Sequence, residues 1–286
     1  MSARERLDAA LVSRGLAVSR TQAKTLVTGG AVLVDGTPVD KPSFPVLPDQ
    51  QVVVRDSPTG GEADWITAGW VGRGALKLVH AFAVWAPEGL SVQGRRCLDV
   101  GASTGGFTQV LLDRGAAEVV ALDVGHGQLD PRVGERPEVV DLSGTSIRDV
   151  DASTIGGAVG AVVGDVSFIS LRHVLPVLPG LCRDDAEVVL LVKPQFEVGA
   201  ARLGRNGVVR SARDRSDTLR EVVDLAGRAG FAVGGIERSP VVGGSGNIEY
   251  LLWLRTGPAR SGMMDWGMSP EDVASRCVSL RLEEER

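Results

Sequence analysis

Cys97-Leu98-Asp99-Val100-Gly101-Ala102-Ser103-Thr104-Gly105-Gly106-Phe107-Thr108 is the stretch on which the reading of this chain turns. Leu98 and Val100 suit a short strand covered on both faces. Gly101, Gly105 and Gly106 then let the backbone turn sharply and approach a ligand closely. A helix starting near Gly105 would aim its free N–H groups at that ligand. Asp99 falls near the strand end, beside the crevice where open α/β sheets bind their ligands. A side chain at Gly105 is expected to crowd both ligand and turn.

The spacing excludes two familiar cofactor loops. Ser103 stands where a dinucleotide fingerprint has its second glycine, and no Gly-Lys-Ser/Thr follows for a P-loop. Asp-x-Gly-x-x-x-Gly-Gly-Phe instead resembles the cofactor loop of S-adenosylmethionine-dependent methyltransferases. A cationic cofactor that carries a carboxylate and no phosphate calls for amide donors and nearby acids. The bland alternative is a glycine turn that only joins a strand to a helix.

The 286 residues can hold one medium domain and a small one. A hydrophobic content of 43% supports a real core, and the net charge of −5 gives no global attraction to nucleic acid. RNA contacts must therefore come from local basic patches. Cys97, Cys182 and Cys277 are isolated, and His80, His126 and His173 lack metal-ligand spacing, so neither disulfide nor metal is expected. The N-terminus shows no apolar signal core and no run approaches membrane-spanning length. The expected setting is cytoplasmic, with no membrane.

Arg6 to Gly15 reads as a helix with Leu7, Ala10 and Leu11 inward, stopped by Gly15. Ser19 and Gln22 form a capping-box pattern for a second helix, whose inner face is Ala23, Leu26 and Val27. Asp35-Gly36 between apolar segments signals a hairpin, and Gln51–Val54 adds a strand. Arg14, Arg20 and Lys24 cluster around the helices; by charge alone they fit a solvated face as well as a phosphate-tracking one. The order of residues decides more. Arg6-Leu7-Asp8, Leu11, Arg14-Gly15-Leu16, Ser19-Arg20, Ala23, Gly30, Val34-Asp35-Gly36 and Val39-x-Lys41-Pro42 resemble the S-four RNA-binding domain over residues 4–54.

Residues 56–64 are polar and turn-rich, as a linker is. Trp65 and Trp70 follow, placed either to pack or to stack on a base. A helix is expected within Val71–Trp85. Strands follow at Glu118–Val124, Val139–Asp141, Ala158–Asp165 and Glu187–Val192, with a helix through Leu171, Val174, Leu175 and Leu178. Thr218–Ala229 reads as helix, and Phe231–Ile236 and Glu249–Leu254 as the last strands. The alternation predicts a doubly wound, mainly parallel Rossmann-like sheet with a small α+β N-terminal domain. Asp123 ends its strand where ribose hydroxyls could be bound. Ser269, Pro270, Glu271 and Asp272 mark a final helix start.

Asp165 and Lys193 each close a strand beside the glycine loop, as an ion pair or as a working pair. With Lys77 in Arg73-Gly74-Ala75-Leu76-Lys77-Leu78 and Glu249 in Gly246-Asn247-Ile248-Glu249-Tyr250, they match in order the Lys-Asp-Lys-Glu set of FtsJ-type RNA 2′-O-methyltransferases. Together with the N-terminal domain, the chain resembles the TlyA (hemolysin A) family of rRNA cytidine-2′-O-methyltransferases over residues 4–255. Two departures stand out. Gly72 and Ala75 replace the family's usual serine and glycine before Lys77, and Ser143-Gly144-Thr145-Ser146 replace an acidic residue and Thr-Asn.

The resemblance implies four catalytic residues, Lys77, Asp165, Lys193 and Glu249, with Lys193 central. It implies that S-adenosylmethionine is held by Asp99, Gly101, Ala102, Ser103, Thr104, Gly105, Gly106, Phe107, Asp123 and Asp165. It implies RNA contacts from Arg6, Arg14, Arg20, Lys24, Lys41 and Arg73, with ribosomal RNA or ribosomal subunits as partner. The expected layout is an RNA-binding domain at 1–60, a linker at 61–69, a methyltransferase domain at 70–257 and a tail at 258–286. A ribose 2′-hydroxyl is a poor nucleophile until its proton is weakened or removed. A neutral lysine can take that proton, and an ammonium can stabilise the alkoxide. A non-catalytic RNA-binding factor is the alternative. A membrane-active hemolysin is disfavoured, since no strongly basic amphipathic helix is present.

Overall fold

The computed structural model describes residues 4–14, 16–17, 20–54, 68–199, 202–204, 206–243, 246–256 and 267–284. The stop at Gly15, the cap at Ser19, the linker stretch 56–64 and Trp65 lie outside them. The chain divides into two compact units, Met1–Arg73 and Gly74–Arg286.

The first unit contains β1 (Glu5–Arg6), α1 (Leu7–Ser13), α2 (Arg20–Thr28), β2 (Val32–Val34), β3 (Thr37–Pro38), β4 (Pro45–Val46) and β5 (Val52–Val54). Leu7, Ala10 and Leu11 of α1 meet Ala23, Leu26 and Val27 of α2 and Val32 and Val34 of β2 in one core. The β2–β3 hairpin closes through Asp35 and Gly36, with φ of 50° and 78°. Two positive φ values in a two-residue loop match the right-handed twist of the strands, which is why Asp-Gly stands there. Asp8 is fully buried, yet its carboxylate meets two exposed guanidinium groups, Arg6 at 3.0 Å and Arg20 at 3.2 Å. The hydrogen bond from Arg6 and the charge of both arginines hold Asp8 at about 2 against the pull of burial.

The second unit is built on a seven-stranded sheet. Its strands are β6 (Arg96–Val100), β7 (Glu118–Asp123), β8 (Val139–Ser143), β9 (Val159–Gly164), β10 (Cys182–Val192), β11 (Phe231–Arg238) and β12 (Tyr250–Thr256). The order is β11-β12-β10-β9-β6-β7-β8. Six strands run in one direction, and β12 enters antiparallel between β10 and β11. The helices are α3 (Ala75–Trp85), α4 (Gly106–Asp113), α5 (Pro131–Gly134), α6 (Pro194–Glu197), α7 (Ala212–Arg228) and α8 (Pro270–Glu284). Strand order reverses between β6 and β9, which opens a crevice at their carboxyl ends. Alternation along β6 sends Leu98 and Val100 into the core shared with α7 and α8, and sends Asp99 toward Thr108 of α4.

One expectation changes. The helix predicted through Leu171–Leu178 is two short 3₁₀ turns, Leu171–His173 and Leu178–Gly180. Pro176 and Pro179 lack the amide hydrogen an α-helix needs there and clash with the preceding turn. The helix start marked at Ser269–Asp272 in the expected tail begins a helix that packs into this unit. Val273, Cys277 and Leu280 of α8 belong to the main core, and Ser269 and Asp272 cap its start by exchanging hydrogen bonds of 3.1 and 3.2 Å. Glu284, near the chain end, places a fully buried carboxylate on Arg215 and on the Tyr250 hydroxyl, the latter at 2.5 Å. Among the described residues no helix is long and apolar enough to cross a membrane.

Candidate active site

The four residues matched in sequence order meet in the second unit. Lys77 lies in the first turn of α3. That helix is pinned over the sheet by Trp85, whose ring stacks on Trp253 with centroids 5.8 Å apart. Gly235 makes this possible, since a Cβ there would lie 2.4 Å from the Trp85 indole nitrogen. Asp165 follows β9, and its amide donates to the Val100 carbonyl of the neighbouring strand at 3.1 Å. Lys193 follows β10, and Pro194 holds it extended, with φ −112° and ψ 97°. Glu249 precedes β12. Because β12 runs against β10, its start lies beside the end of β10, which brings Glu249 to the same edge as Lys193.

Lys77 Nζ donates to Asp165 Oδ2 at 3.0 Å and to Glu249 Oε2 at 2.8 Å. Lys193 Nζ lies 2.6 Å from Asp165 Oδ1 and donates to Ser167 Oγ at 2.7 Å. Gln195 Nε2 donates to Glu249 Oε1 at 3.3 Å. Lys77, Lys193 and Glu249 are only 6%, 7% and 3% exposed. Two buried ammonium groups thus face two carboxylates with no net charge, the condition under which buried ions are tolerated. Burial would raise Asp165, but the charges of Lys77 and Lys193 and their hydrogen bonds outweigh it and hold its carboxyl below the ordinary range.

The glycine loop lies against this network. Gly101 has φ 82°, and a Cβ there would come 3.2 Å from the Asp165 carbonyl oxygen, so the loop passes close to Asp165 only as glycine. Gly105 has φ 89°, but its missing Cβ faces Val133 and Leu129, at 2.9 and 3.1 Å, and not the crevice. The penalty for a side chain at Gly105 is therefore packing and backbone strain, a correction to the expected ligand clash. Ala102, Gly106 and Phe107 are buried beneath the turn, while Ser103 and Thr104 are exposed. Asp123 accepts from the Ser103 amide at 2.9 Å and the Gly125 amide at 2.8 Å. The departure at residues 143–146 is tied in by backbone bonds: Thr145 N–H to Asp123 O at 2.9 Å and Gly144 N–H to Gly125 O at 2.9 Å. Asp99 is fully buried under the loop. Its Oδ2 accepts from Thr108 Oγ1 at 2.7 Å, its Oδ1 has no partner among the described residues, and burial pushes the carboxyl up to about 7. Its side chain does not face the crevice. Carboxylates at the ends of β7 and β9 make this a poor berth for a polyphosphate and a suitable one for a cation.

Sequence reasoning missed three neighbours of the network: Ser167, Gln195 and Phe168. Phe168 is 92% exposed and has φ 62°, a strained conformation for an aromatic residue. Its ring leans on Phe196, 5.2 Å away, and the Phe196 ring lies 6.0 Å from Lys193 Nζ. An exposed ring beside the lysine offers a face on which a planar base can stack. Only the positive φ and the exposure reveal it, and neither is written in the sequence.

In the first unit the predicted basic residues divide. Arg14 donates to the carbonyls of Gln50 at 2.6 Å and Leu47 at 2.9 Å, so its guanidinium staples the fold. Arg6 and Arg20 are held by Asp8 with their outer faces open. Lys24 and Lys41 are exposed and form no ion pair among the described residues. Among the described residues no group of side chains could hold a metal ion.

Residues 70–256 match the FtsJ-like methyltransferase family, and residues 5–52 match the S4 domain. The chain is 48% identical to the 16S/23S rRNA (cytidine-2′-O)-methyltransferase TlyA of Mycobacterium tuberculosis, over 98% of this chain and 99% of that one. It is 29% identical to the 23S rRNA (cytidine-2′-O)-methyltransferase TlyA of Campylobacter jejuni, over 85% and 96%. A solved structure from Streptococcus thermophilus, described as a candidate hemolysin, is 34% identical with a TM-score of 0.70 and covers 100% of this chain and 99% of its own.

Proposed function

We propose, from the premise that the chain belongs to the TlyA family of rRNA cytidine-2′-O-methyltransferases and carries that family's FtsJ-like domain, that it methylates the 2′-oxygen of a cytidine ribose in ribosomal RNA with S-adenosylmethionine as donor. The observation that carries this reading is the closed Lys77–Asp165–Lys193 and Lys77–Glu249 network at the mouth of the crevice.

Gly101–Phe107, Asp123 and Asp165 are the residues that would hold the cofactor, with Asp99 supporting the loop from below. The acids suit its sulfonium and ammonium, and the amides of the turn suit its carboxylate. When bound, it supplies a methyl group already activated by the positive sulfur. The chain's own task is then to deliver the oxygen. Lys193 Nζ would first release its own proton to solvent and then, as the neutral amine, take the 2′-hydroxyl proton as the oxygen attacks the methyl group. Asp165 holds Lys193 in place, Lys77 holds Asp165, and Glu249 holds Lys77. Alignment of oxygen, carbon and sulfur supplies much of the remaining acceleration. Phe168 offers a stacking face for the target base. Arg6, Arg20, Lys24 and Lys41 of the first unit contact RNA phosphates, and Arg14 acts through the fold. Arg73 is carried over from the resemblance alone.

Transfer of labelled methyl to isolated ribosomal subunits tests the reading. Lys193→Ala should lose roughly 10²–10⁴-fold in rate, the usual worth of a general base, while the cofactor still binds. Lys193→Arg keeps the charge but cannot act as a neutral base, and should be nearly as slow. Near-normal turnover in the arginine variant would reject the base role. Near-normal turnover in the alanine variant would remove Lys193 from the mechanism.

A further inference from the structure

We infer that Ser167 is a positioning residue for methyl transfer, its hydroxyl fixing the orientation of Lys193 Nζ in the crevice. This rests on the reading of Lys193 as the group that takes the proton. Ser167 Oγ accepts a hydrogen bond from Lys193 Nζ at 2.7 Å. Asp165 Oδ1 lies 2.6 Å from the same nitrogen as an ion-pair partner, but it accepts no hydrogen bond among the described residues. The serine oxygen is therefore the acceptor that directs an N–H of Lys193. Directing one N–H restricts where the lone pair of a neutral amine, or the remaining N–H bonds of an ammonium, can point.

The serine oxygen is itself held in place. Glu197 of α6 accepts from the Ser170 hydroxyl at 2.5 Å and the Leu171 amide at 2.8 Å, tying the loop that carries Ser167 to the segment that carries Lys193. Asp165 and Ser167 are two residues apart on that loop, so one short piece of backbone presents both the ion-pair partner and the hydrogen-bond acceptor. Ser167 is exposed, so a methyl group added there has room.

The test uses the full chain and isolated ribosomal subunits, with Ser167→Ala, Ser167→Thr and Lys193→Ala compared in single-turnover methyl transfer, KM for subunits and calorimetric Kd for S-adenosylmethionine. Ser167→Ala should slow the single-turnover rate roughly tenfold to a hundredfold, the scale of a misaligned reacting group, with KM and Kd within about twofold of the parent protein. Ser167→Thr restores the oxygen and should recover most of the rate; a fold defect alone would not divide the two variants this way. The inference is overturned by an alanine variant within twofold of the parent, by a threonine variant as slow as alanine, or by a loss carried in KM or Kd. A faster alanine variant would also overturn it, since the hydroxyl would then be capping the lone pair. If Lys193→Ala still turns over, the lysine reading falls and takes this role with it. An inactive Lys193→Ala beside an unimpaired Ser167→Ala overturns only the role of Ser167.

Discussion

Asp99→Asn should remove a pH-dependent weakness from the second unit. The Asp99 carboxyl is buried under the glycine loop, and its ionised form is held by Thr108 alone, with an Oδ1 that has no partner among the described residues. Desolvation, opposed by the Thr108 bonds and aided by the charges of Asp165 and Asp123, moves it from 3.8 in the unfolded chain to about 7 in the fold. The folded state therefore keeps its proton where the unfolded chain has lost it. Stability falls as pH rises through the interval from about 4 to about 7, and is level in this respect above and below. Between pH 5 and pH 8 the shift corresponds to roughly two pKa units, or about 3 kcal/mol. Asparagine cannot ionise, so the variant should lack that slope. Its amide nitrogen, left without an acceptor, costs about 1–3 kcal/mol at every pH, and this cancels in the comparison. Urea denaturation of both proteins at pH 5 and pH 8 gives the double difference directly. Equal losses in parent and variant between the two pH values would refute the reasoning and place the slope on other groups.

Glu284→Gln should cost roughly 3–5 kcal/mol, because it leaves the Arg215 guanidinium, only 8% exposed, without its charge partner; urea melts showing less than about 1 kcal/mol would deny the helix that anchoring role. Lys24→Glu with Lys41→Glu should weaken RNA binding uniformly across sequences and flatten its salt dependence by about one unit per lost phosphate contact, and an unchanged salt slope would place the RNA elsewhere. Gly105→Ala should destabilise the ligand-free protein by at least the 1–2 kcal/mol typical of a side chain in left-handed backbone, with Val133 and Leu129 crowding adding to it. Stability loss seen only with cofactor present would contradict that account.

Much of the sheet was legible because buried parallel strands are written as uninterrupted apolar runs: Val159–Gly164 is buried at every position. Asp-Gly at 35–36 announced its hairpin for a local reason, and so did the Ser269–Asp272 cap. The four network residues were found by their order in the chain and by resemblance, since no local pattern links positions as distant as Lys77 and Glu249. The helix expected at Leu171–Leu178 failed because apolar spacing was weighed without Pro176 and Pro179. α7 begins at Ala212, ahead of the expected Thr218; Ser211 caps it, accepting from the Asp214 amide at 3.1 Å, and the charged residues of its first turns hid it from apolar periodicity. Ser167, Phe168 and the Arg215–Glu284 pair were illegible, since their meaning lies in distances and backbone angles that only the folded chain defines.

The antiparallel entry of β12 also sets a timetable. During synthesis from the N-terminus, β11 is made before β12 and pairs with no other strand among the described residues, and β10 is an open edge until β12 fills the place between them. Glu249 lies 172 residues after the lysine it binds, so Lys77 waits through most of translation for its second carboxylate. A chain stopped between Lys193 and β12 has the glycine loop, Asp165 and Lys193 but carries an unpaired apolar sheet edge, the condition that invites misassembly. Completion of the sheet and completion of the charge network are thus the same late event, and a half-made chain has no finished site with which to act on the ribosome that is making it.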